Sequence, residues 1–195
     1  MSLPHIVYLH GLNCTRRIFT HIHCQLPEHH ATFIDYPSIQ AIECSYEFVL
    51  ENLPKDEPIS IVGHSLGGIL GYLIASRNPE IIIENLISIS TPFGGSQTAA
   101  HFKWIYPSYV VFKDICPSSN IIREVTSKSL EINFASIIST SGHVPFISEV
   151  NDGVISIKSQ EATLAGEVLN VDSSHFEIMQ DPLTVAAIKR LVFKP

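Results

Sequence analysis

A glycine-rich run, residues 63–68, joins two apolar segments and leaves few options for the fold of this chain. The segment before it, residues 59–62, reads Ile-Ser-Ile-Val and is typical of a buried strand. The segment that follows, residues 66–77, has helical composition and ends at Asn78-Pro79, a common helix stop. The chain must therefore reverse sharply between the two, and closely spaced glycines let the backbone approach itself there. The run predicts a strand, a tight turn and a helix in direct succession.

The same alternation of strand and helix continues along the rest of the chain. The other predicted strands are residues 6–9, 32–36, 86–89, 132–138 and 168–171, and the other predicted helices are residues 42–53 and 182–193. Strands that alternate with helices form a parallel sheet with helices on both faces, and the handedness of the crossovers restricts this to a doubly wound sheet. We therefore predict a single α/β domain over residues 1–195, with a mostly parallel sheet of about six strands.

The closing helix also has a predicted inner face. Five of its residues fall at helical spacing: Leu183, Ala186, Ala187, Arg190 and Leu191. The aliphatic stem of Arg190 can lie along such a face while its charge reaches water. We therefore expect this face to pack against the sheet.

Composition argues against several classes of function. The chain has 195 residues, of which 45% are apolar, but no apolar run approaches the roughly 20 residues that a membrane span needs. The net charge is −7 and the basic residues are scattered, so nucleic acid is not an expected partner. The first residues lack the charged and apolar regions of a signal peptide, which predicts a cytoplasmic location.

The cysteines and the paired histidines predict no metal site. The cysteines form no C-x-x-C pair and match no zinc spacing, so we expect four free thiols at Cys14, Cys24, Cys44 and Cys116. The pairs His21/His23 and His29/His30 lack a pattern of carboxylates or thiols that would complete a site, and surface histidines are the better interpretation. We expect neither a metal nor an organic cofactor.

Ser65 is the expected nucleophile. Residues 63–67 form a G-x-S-x-G sequence between a predicted strand and a predicted helix, which is the context that this motif requires. Gly63 and Gly67 flank the serine where a side chain would clash. The free N–H groups at the helix N-terminus point to where negative charge develops. A phosphate-binding loop would need a lysine after the glycines, and none follows.

The loop after the first strand is the expected source of an oxyanion donor. His10-Gly11-Leu12 ends that strand, and Gly11 lets the loop approach closely. We assign the oxyanion donors to the backbone N–H groups of Leu12 and Leu66. His10 is expected to shape the loop rather than to transfer protons.

His175 is the expected base. A serine nucleophile needs a base to remove its proton, and on this type of fold the order along the chain is Ser, then acid, then His. Three histidines follow Ser65, namely His101, His143 and His175. Only His175 lies between the last strand and the final helix, where the base is expected.

Asp152 is the leading candidate for the acid that orients the base. It lies in the sequence Asn-Asp-Gly at residues 151–153, where the glycine allows a tight turn. Glu149 and Asp172 remain alternatives, and Asp172 could instead brace the loop that carries His175.

Together these segments resemble the lipase and esterase superfamily of α/β-hydrolases. The resemblance rests on His10-Gly11-Leu12, residues 63–68, residues 90–96 (Ser-Thr-Pro-Phe-Gly-Gly-Ser), Asn151-Asp152-Gly153-Val154 and His175. The set looks especially like small bacterial lipases and lipase-like proteins that act on glycosylphosphatidylinositol anchors. Members usually begin with two further antiparallel strands, and this chain opens at the His-Gly strand. The resemblance therefore implies a minimal α/β-hydrolase fold with a short cap.

Residues 96–128 are the expected cap. They are rich in aromatic residues and contain the only tryptophan of the chain. Trp104 and Phe112 are the candidate substrate-binding residues, as an apolar wall over Ser65. The alternative, that these aromatic residues only pack onto the sheet, stays open at this point.

The expected function is hydrolysis of a carboxylic ester through an acyl-enzyme, with a small-molecule or lipid ester as substrate. A thioesterase or an acyltransferase would use the same residues on another acyl donor or acceptor. A non-catalytic binding protein and a protein that makes transient contact with a membrane surface are the alternatives from other classes. The sequence does not indicate an oligomeric state.

Overall fold

The computed structural model of the chain describes residues 3–144 and 147–193. These residues form six strands: β1 His5–Leu9, β2 His30–Ile34, β3 Ile59–His64, β4 Ile83–Ile89, β5 Asn133–Ser139 and β6 Glu167–Val171. They form eight α-helices: α1 Thr20–Gln25, α2 Ile42–Asn52, α3 Leu66–Arg77, α4 Gln97–Phe102, α5 Val111–Asp114, α6 Asn120–Ser127, α7 Ile157–Gln160 and α8 Pro182–Val192. Short 3-10 helices lie at Arg16–Phe19 and Glu177–Gln180.

The strands form one sheet in the order β2-β1-β3-β4-β5-β6, and all five neighbouring pairs are parallel. The chain passes from β1 outward to β2 and then returns to β3 on the other side of β1, so the winding reverses between β1 and β3. Ligands of open α/β sheets bind beyond the carboxyl ends of the strands at such a reversal. The predicted doubly wound, parallel α/β sheet is confirmed.

Helices cover both faces of the sheet, which explains the uninterrupted apolar blocks in the sequence. Along β1, Val7 and Leu9 belong to a core cluster shared with α2 and α3. The alternate residues Ile6 and Tyr8 belong to a second cluster shared with α1 and α8. Because successive side chains of a strand point to opposite faces, a strand buried on both faces must be apolar at every position.

The predicted elements differ from the observed ones at their ends and in the segment 96–128, and helices α1 and α7 and the two 3-10 helices were not predicted. The prediction for residues 66–77 coincides with α3, and the one for residues 42–53 exceeds α2 by one residue. Strand β2 begins two residues earlier than predicted because it pairs with the whole of β1, from His5↔His30 to Leu9↔Ile34. The segment 96–128, which has no clear periodicity, contains the short helices α4, α5 and α6.

The predicted inner face of the closing helix is right at Ala187 and Leu191, which lie against the core, and wrong at Leu183, Ala186 and Arg190, which are exposed. Helix α8 begins at the predicted residue, with Pro182 in its first turn. However, the side chain of Leu183 is 57% exposed, and the buried residues of the helix are Thr184, Ala187 and Ile188. A buried threonine therefore lies where the apolar pattern suggested solvent, and the true face is rotated by about one residue.

Residues 145 and 146 lie outside the described residues. The same holds for residues 1–2 and 194–195. Among the helices that the structure describes, none is long and apolar enough to cross a membrane.

Candidate active site

Ser65 lies at a strained turn between β3 and α3. Its backbone has φ 52° and ψ −117°, a conformation that a residue with a side chain rarely adopts. The turn is held because the N–H of Ser65 donates to the carbonyl of Ile89 at 2.8 Å and its own carbonyl accepts from Gly68 N–H at 3.0 Å. Strain of this kind persists only where the surrounding structure imposes it, and it occurs often at functional sites.

The glycines on either side of Ser65 are required by close backbone contacts. A Cβ atom on Gly67 would lie 2.0 Å from the carbonyl oxygen of Leu9, and one on Gly63 would lie 2.5 Å from the carbonyl carbon of Gly67. Both distances are far below any van der Waals contact. Only glycine therefore lets the turn pack against the end of β1.

The structure brings Asp152 and His175 together. His175 Nδ1 lies 2.7 Å from Asp152 Oδ2, and the N–H of His175 donates to the carbonyl of Asp152 at 3.0 Å. Both side chains are buried. Because an ionised carboxylate only accepts hydrogen bonds, Nδ1 carries the proton and Nε2 is the unprotonated nitrogen of the neutral ring.

The alternative acids and bases lie elsewhere. Glu149 forms an ion pair with Lys158 at 3.5 Å, and Asp172 accepts a hydrogen bond from the hydroxyl of Ser141. His101 is exposed and bonds the carbonyl of its own helix at Gln97, and His143 is exposed.

Asp152 is held as an anion. Its Oδ1 atom accepts hydrogen bonds from the N–H groups of Val154 at 2.9 Å and Ile155 at 2.7 Å. Burial raises the pKa of this carboxyl group. The hydrogen bond and charge of His175, together with the bonds from Ser139 and Ile155, outweigh that effect and leave the pKa below its ordinary value.

A cavity of about 220 Å³ opens beside Ser65 and His175. Apart from those two residues, most of its lining is apolar and comes from Leu12, Leu66, Pro92, Ala99, Phe112, Ile115, Val154, Ile155 and Phe176. Phe112 is part of this lining. Trp104 is not: its side chain is 81% exposed, so its predicted place in the wall is corrected. The hydroxyl of Ser65 makes no hydrogen bond to the described residues.

The two predicted oxyanion donors also border this cavity. Leu12 and Leu66 both line it, and within residues 3–144 and 147–193 no acceptor takes the N–H of either residue. The loop that carries Leu12 lies against the nucleophile, since a Cβ atom on Gly11 would be 3.1 Å from Ser65 Cβ. This arrangement leaves both N–H groups available beside Ser65.

His10 shapes the loop, as its sequence position suggested. Its ring stacks on Tyr36 with the centroids 4.3 Å apart and an interplanar angle of 4°. Its Nδ1 atom donates to the carbonyl of Gly11 at 2.8 Å, and the hydroxyl of Tyr36 donates to the carbonyl of His10. These contacts hold the backbone that precedes Leu12.

His64 is a buried neighbour of His175 whose position the sequence did not reveal. The ring is fully buried between the turn at Ser65 and the loop of His175, and its Nε2 atom donates to the carbonyl of His175 at 2.9 Å. Burial, and then the nearby His175, lower the pKa of His64 to about 3. The ring is therefore neutral at ordinary pH and acts as a hydrogen-bond donor.

Three further buried polar residues beside Asp152 were missed: Ser90, Ser139 and Gln160. The two serines stand at the carboxyl ends of β4 and β5, where a polar residue after an apolar strand is a readable signal. Gln160 lies in a polar stretch and carries no such signal.

The remaining thiols and histidines form no obvious site. Cys14, Cys24, Cys44 and Cys116 are free, and Cys14 lines the cavity. Burial raises the pKa of the Cys14 thiol, which disfavours the reactive thiolate. In the described part of the chain, no group of three or more histidine, cysteine or acidic side chains is placed to hold a metal ion.

The chain matches no protein-family model and no curated protein. Its fold is similar to that of several solved structures. The mature Bacillus licheniformis lipase BlEst2 superimposes with a TM-score of 0.77 at 17% identity, covering 98% of this chain and 92% of that chain. A metagenomic carboxyl esterase gives a TM-score of 0.74 at 14% identity, and the match covers 100% of this chain and 73% of that chain. Tomato Methylketone Synthase I gives a TM-score of 0.65 at 15% identity, and the match covers 100% of this chain and 99% of that chain. At these identities the likeness concerns the fold: this chain has the fold of the α/β-hydrolases.

Proposed function

We propose that this chain is a serine hydrolase that cleaves carboxylic esters. His175 Nε2 takes the proton of the Ser65 hydroxyl as its oxygen attacks the ester carbonyl, and the N–H groups of Leu12 and Leu66 stabilise the resulting oxyanion. His175 then gives the proton to the leaving alcohol, which breaks the ester bond and leaves an acyl group on Ser65. Water, deprotonated by His175, releases the acid.

The observation that supports this proposal most strongly is the bond between His175 and Asp152 beside the cavity of Ser65. The 2.7 Å bond to Asp152 assigns the proton to Nδ1 of His175, and it leaves Nε2 as the nitrogen that can accept a proton. His175 and Ser65 line the same cavity, so a bound ester would meet both. The strained turn at Ser65 adds to this support.

The lining of the cavity favours an apolar, uncharged acyl group. The described lining contains no Asp, Glu, Lys or Arg, and an ionic substrate would lose its hydration there without a partner. Two of the structural neighbours are named as a lipase and a carboxyl esterase, which agrees with ester hydrolysis on this fold. A methylketone synthase, which is not named as a lipase or an esterase, has a similar fold, so the fold alone does not determine the reaction.

A panel of p-nitrophenyl esters and acyl-thioesters, assayed with wild type and Ser65→Ala, tests the proposal. We expect ester turnover by wild type and none above background by the variant. Ser76→Ala, at the far end of the same helix, is the matched control and should keep wild-type rates. Preferential turnover of thioesters would favour a thioesterase instead.

Fluorophosphonate labelling separates an enzyme from a binding protein that retains the fold. The reagent reacts covalently with an activated serine, so wild type should be labelled and Ser65→Ala should not. Equal labelling of the two folded proteins would contradict the assignment of Ser65.

A further inference from the structure

Gln160 is a buried amide beside the proposed acid. It is the last residue of α7, a helix that begins where the Ser156 hydroxyl accepts the N–H of Ser159. Its side chain is completely buried. A glutamine is rarely buried in full unless its amide group is hydrogen-bonded, because an unpartnered amide is costly to remove from water.

Every strong hydrogen-bonding group of this amide has a partner. The two hydrogens of Nε2 point to the carbonyl of Ser139 and to Asp152 Oδ2, both at 3.1 Å, and Oε1 accepts the N–H of Ser139 at 3.1 Å. A flipped amide would place its oxygen against two acceptors, so the orientation of the side chain is determined. Gln160 therefore clamps the end of β5 and the carboxylate of Asp152 together.

Two serines extend this arrangement. The Ser139 hydroxyl donates to Asp152 Oδ2 at 2.5 Å, and it lies 2.7 Å from the hydroxyl of Ser90. The Ser139 hydroxyl also lies 3.2 Å from Gln160 Oε1, but its much shorter contact is with the carboxylate. With the proton of Ser139 directed to Asp152, the hydroxyl of Ser90 is the donor to Ser139. All of these side chains are fully buried. A directed series of hydrogen bonds thus runs from the end of β4, through the end of β5, to the carboxylate.

Asp152 Oδ2 consequently receives hydrogen bonds from three separate segments: Ser139 at the end of β5, Gln160 in α7 and His175 after β6. The other oxygen is bound within its own loop. The contacts within the loop hold Oδ1 and include no bond to Oδ2. The bonds from Ser139 and Gln160 determine where Oδ2 stands when His175 approaches it.

We propose that Gln160 is a positioning residue that holds Asp152 Oδ2 in line with His175 Nδ1. The proposal rests on the function proposed above and adds a residue that acts through Asp152 rather than on the substrate. A catalytic group held by packed, hydrogen-bonded neighbours keeps its geometry to within about 0.5 Å, and a misplacement of about 1 Å can cost on the order of 100-fold in rate.

The first test compares Gln160→Met with wild type. Methionine keeps the length and fills the space but offers Asp152 no donor. We expect kcat for an ester to fall about 10- to 100-fold with little change in KM, because the lost interaction orients the catalytic groups and does not bind substrate. A purely structural role would lower the melting temperature and leave kcat of the folded enzyme unchanged.

The second variant, Gln160→Glu, has a pH signature. When protonated, Glu can still donate one hydrogen bond to Asp152, whereas its ionised form puts a second negative charge against the carboxylate. We expect the kcat of this variant relative to wild type to fall as the pH rises, while the ratio for Gln160→Met stays constant with pH. Asp152 and His175 are the titratable groups of this hydrogen-bonded cluster, with His64 beside His175, and Lys158 on α7 and Glu161 directly after it are exposed to solvent.

A matched control and a spectroscopic readout separate the outcomes. Asn85→Leu removes another buried amide, which donates to Ser60 at 2.9 Å, and it should lower stability without changing kcat. The ring N–H proton of His175, followed by proton NMR, should exchange faster in Gln160→Met, whether or not an ester is turned over. Folded Gln160 variants with wild-type kcat and an unchanged His175 signal would overturn the proposal. Absence of ester turnover by wild type would contradict the proposed function alone, since the NMR comparison still tests the positioning.

Discussion

At the scale of single residues, position in the fold distinguishes carboxylates that look alike in the sequence. Asp152, Glu149 and Asp172 all lie between Ser65 and His175 in the chain. Only Asp152 bonds the ring of His175: the N–H groups of Val154 and Ile155 hold its Oδ1 atom, and Ser139 and Gln160 hold Oδ2 beside the ring. Of the alternatives left open by the sequence, the hydrogen-bond geometry favours Asp152 as the proposed acid.

Because only one of the three carboxylates bonds His175, replacing each of them by an amide should affect kcat very differently. Asp152→Asn should lower kcat for an ester by roughly 10³- to 10⁴-fold, because an amide does not hold His175 in the required tautomer. Glu149→Gln and Asp172→Asn, measured by the same initial rates, should remain close to wild type. Loss of activity in Asp172→Asn together with an active Asp152→Asn would reverse the assignment.

His64 should make the stability of the protein sensitive to acid. Its folded pKa of about 3 lies below the ordinary value of 6.5, so between these values the unfolded chain binds a proton that the folded chain does not. Stability therefore rises with pH through this window and is lost as the pH falls, at up to about 1.4 kcal/mol per pH unit.

Urea unfolding at several pH values between about 4.5 and 6.5, just below the usual pKa of histidine, measures how the free energy of unfolding changes with pH. His64→Gln removes the titrating group and should flatten this pH dependence, whereas His101→Gln, at an exposed site, should leave it unchanged. A slope that is the same in His64→Gln and in wild type would show that other groups are responsible.

At the scale of elements, close backbone contacts determine the turn between β3 and α3. The glycines that the sequence displays are explained by the contact of Gly67 with the end of β1, an element more than 50 residues away. The sequence indicated that glycine was needed at this turn, but the identity of the opposing backbone, the carbonyl of Leu9, came only from the sheet order.

Replacing Gly67 by alanine should lower the free energy of unfolding far more than the same change at Gly166. Gly67→Ala places a methyl group within 2.0 Å of a backbone oxygen, and the rigid neighbours cannot yield, so we expect a loss of about 3 kcal/mol or more in the free energy of unfolding. Gly166→Ala meets its nearest atom at 3.7 Å and should be tolerated. Chemical denaturation of both variants tests this, and equal stability would contradict the contact.

At the scale of the whole molecule, the cavity is built from segments distant in sequence. Its lining comes from the loop after β1, the turn at Ser65, helices α4 and α5, and the loops that carry Asp152 and His175. Helices α4 and α5 lie within the predicted cap, residues 96–128, and we retain that segment as the proposed cap. Only Phe112 of the two predicted aromatic residues reaches the cavity, because Trp104 lies on the exposed connection between the two helices.

The size of the cavity sets an expected acyl length. An apolar cavity of about 150 Å³ holds a six-carbon molecule such as benzene, so about 220 Å³ should accept an acyl chain of roughly eight carbons. Phe112→Ala should move the preference to longer chains, whereas Trp104→Ala should leave it unchanged. Turnover of p-nitrophenyl esters of increasing length measures this, and a preference unaltered in folded Phe112→Ala would exclude Phe112 from the acyl wall.

The sequence by itself determined the order of the six strands and of helices α2, α3 and α8, the doubly wound parallel sheet and the candidates Ser65, Asp152 and His175, because periodicity and short motifs are local properties. It misjudged part of the inner face of α8 and the place of Trp104, and it did not reveal His64 or Gln160. Those features depend on which side chains meet across the fold, and a buried amide such as Gln160 leaves no periodic trace. Only the tertiary structure decided them, because hydrogen-bond partners and burial arise when segments far apart in the chain are packed together.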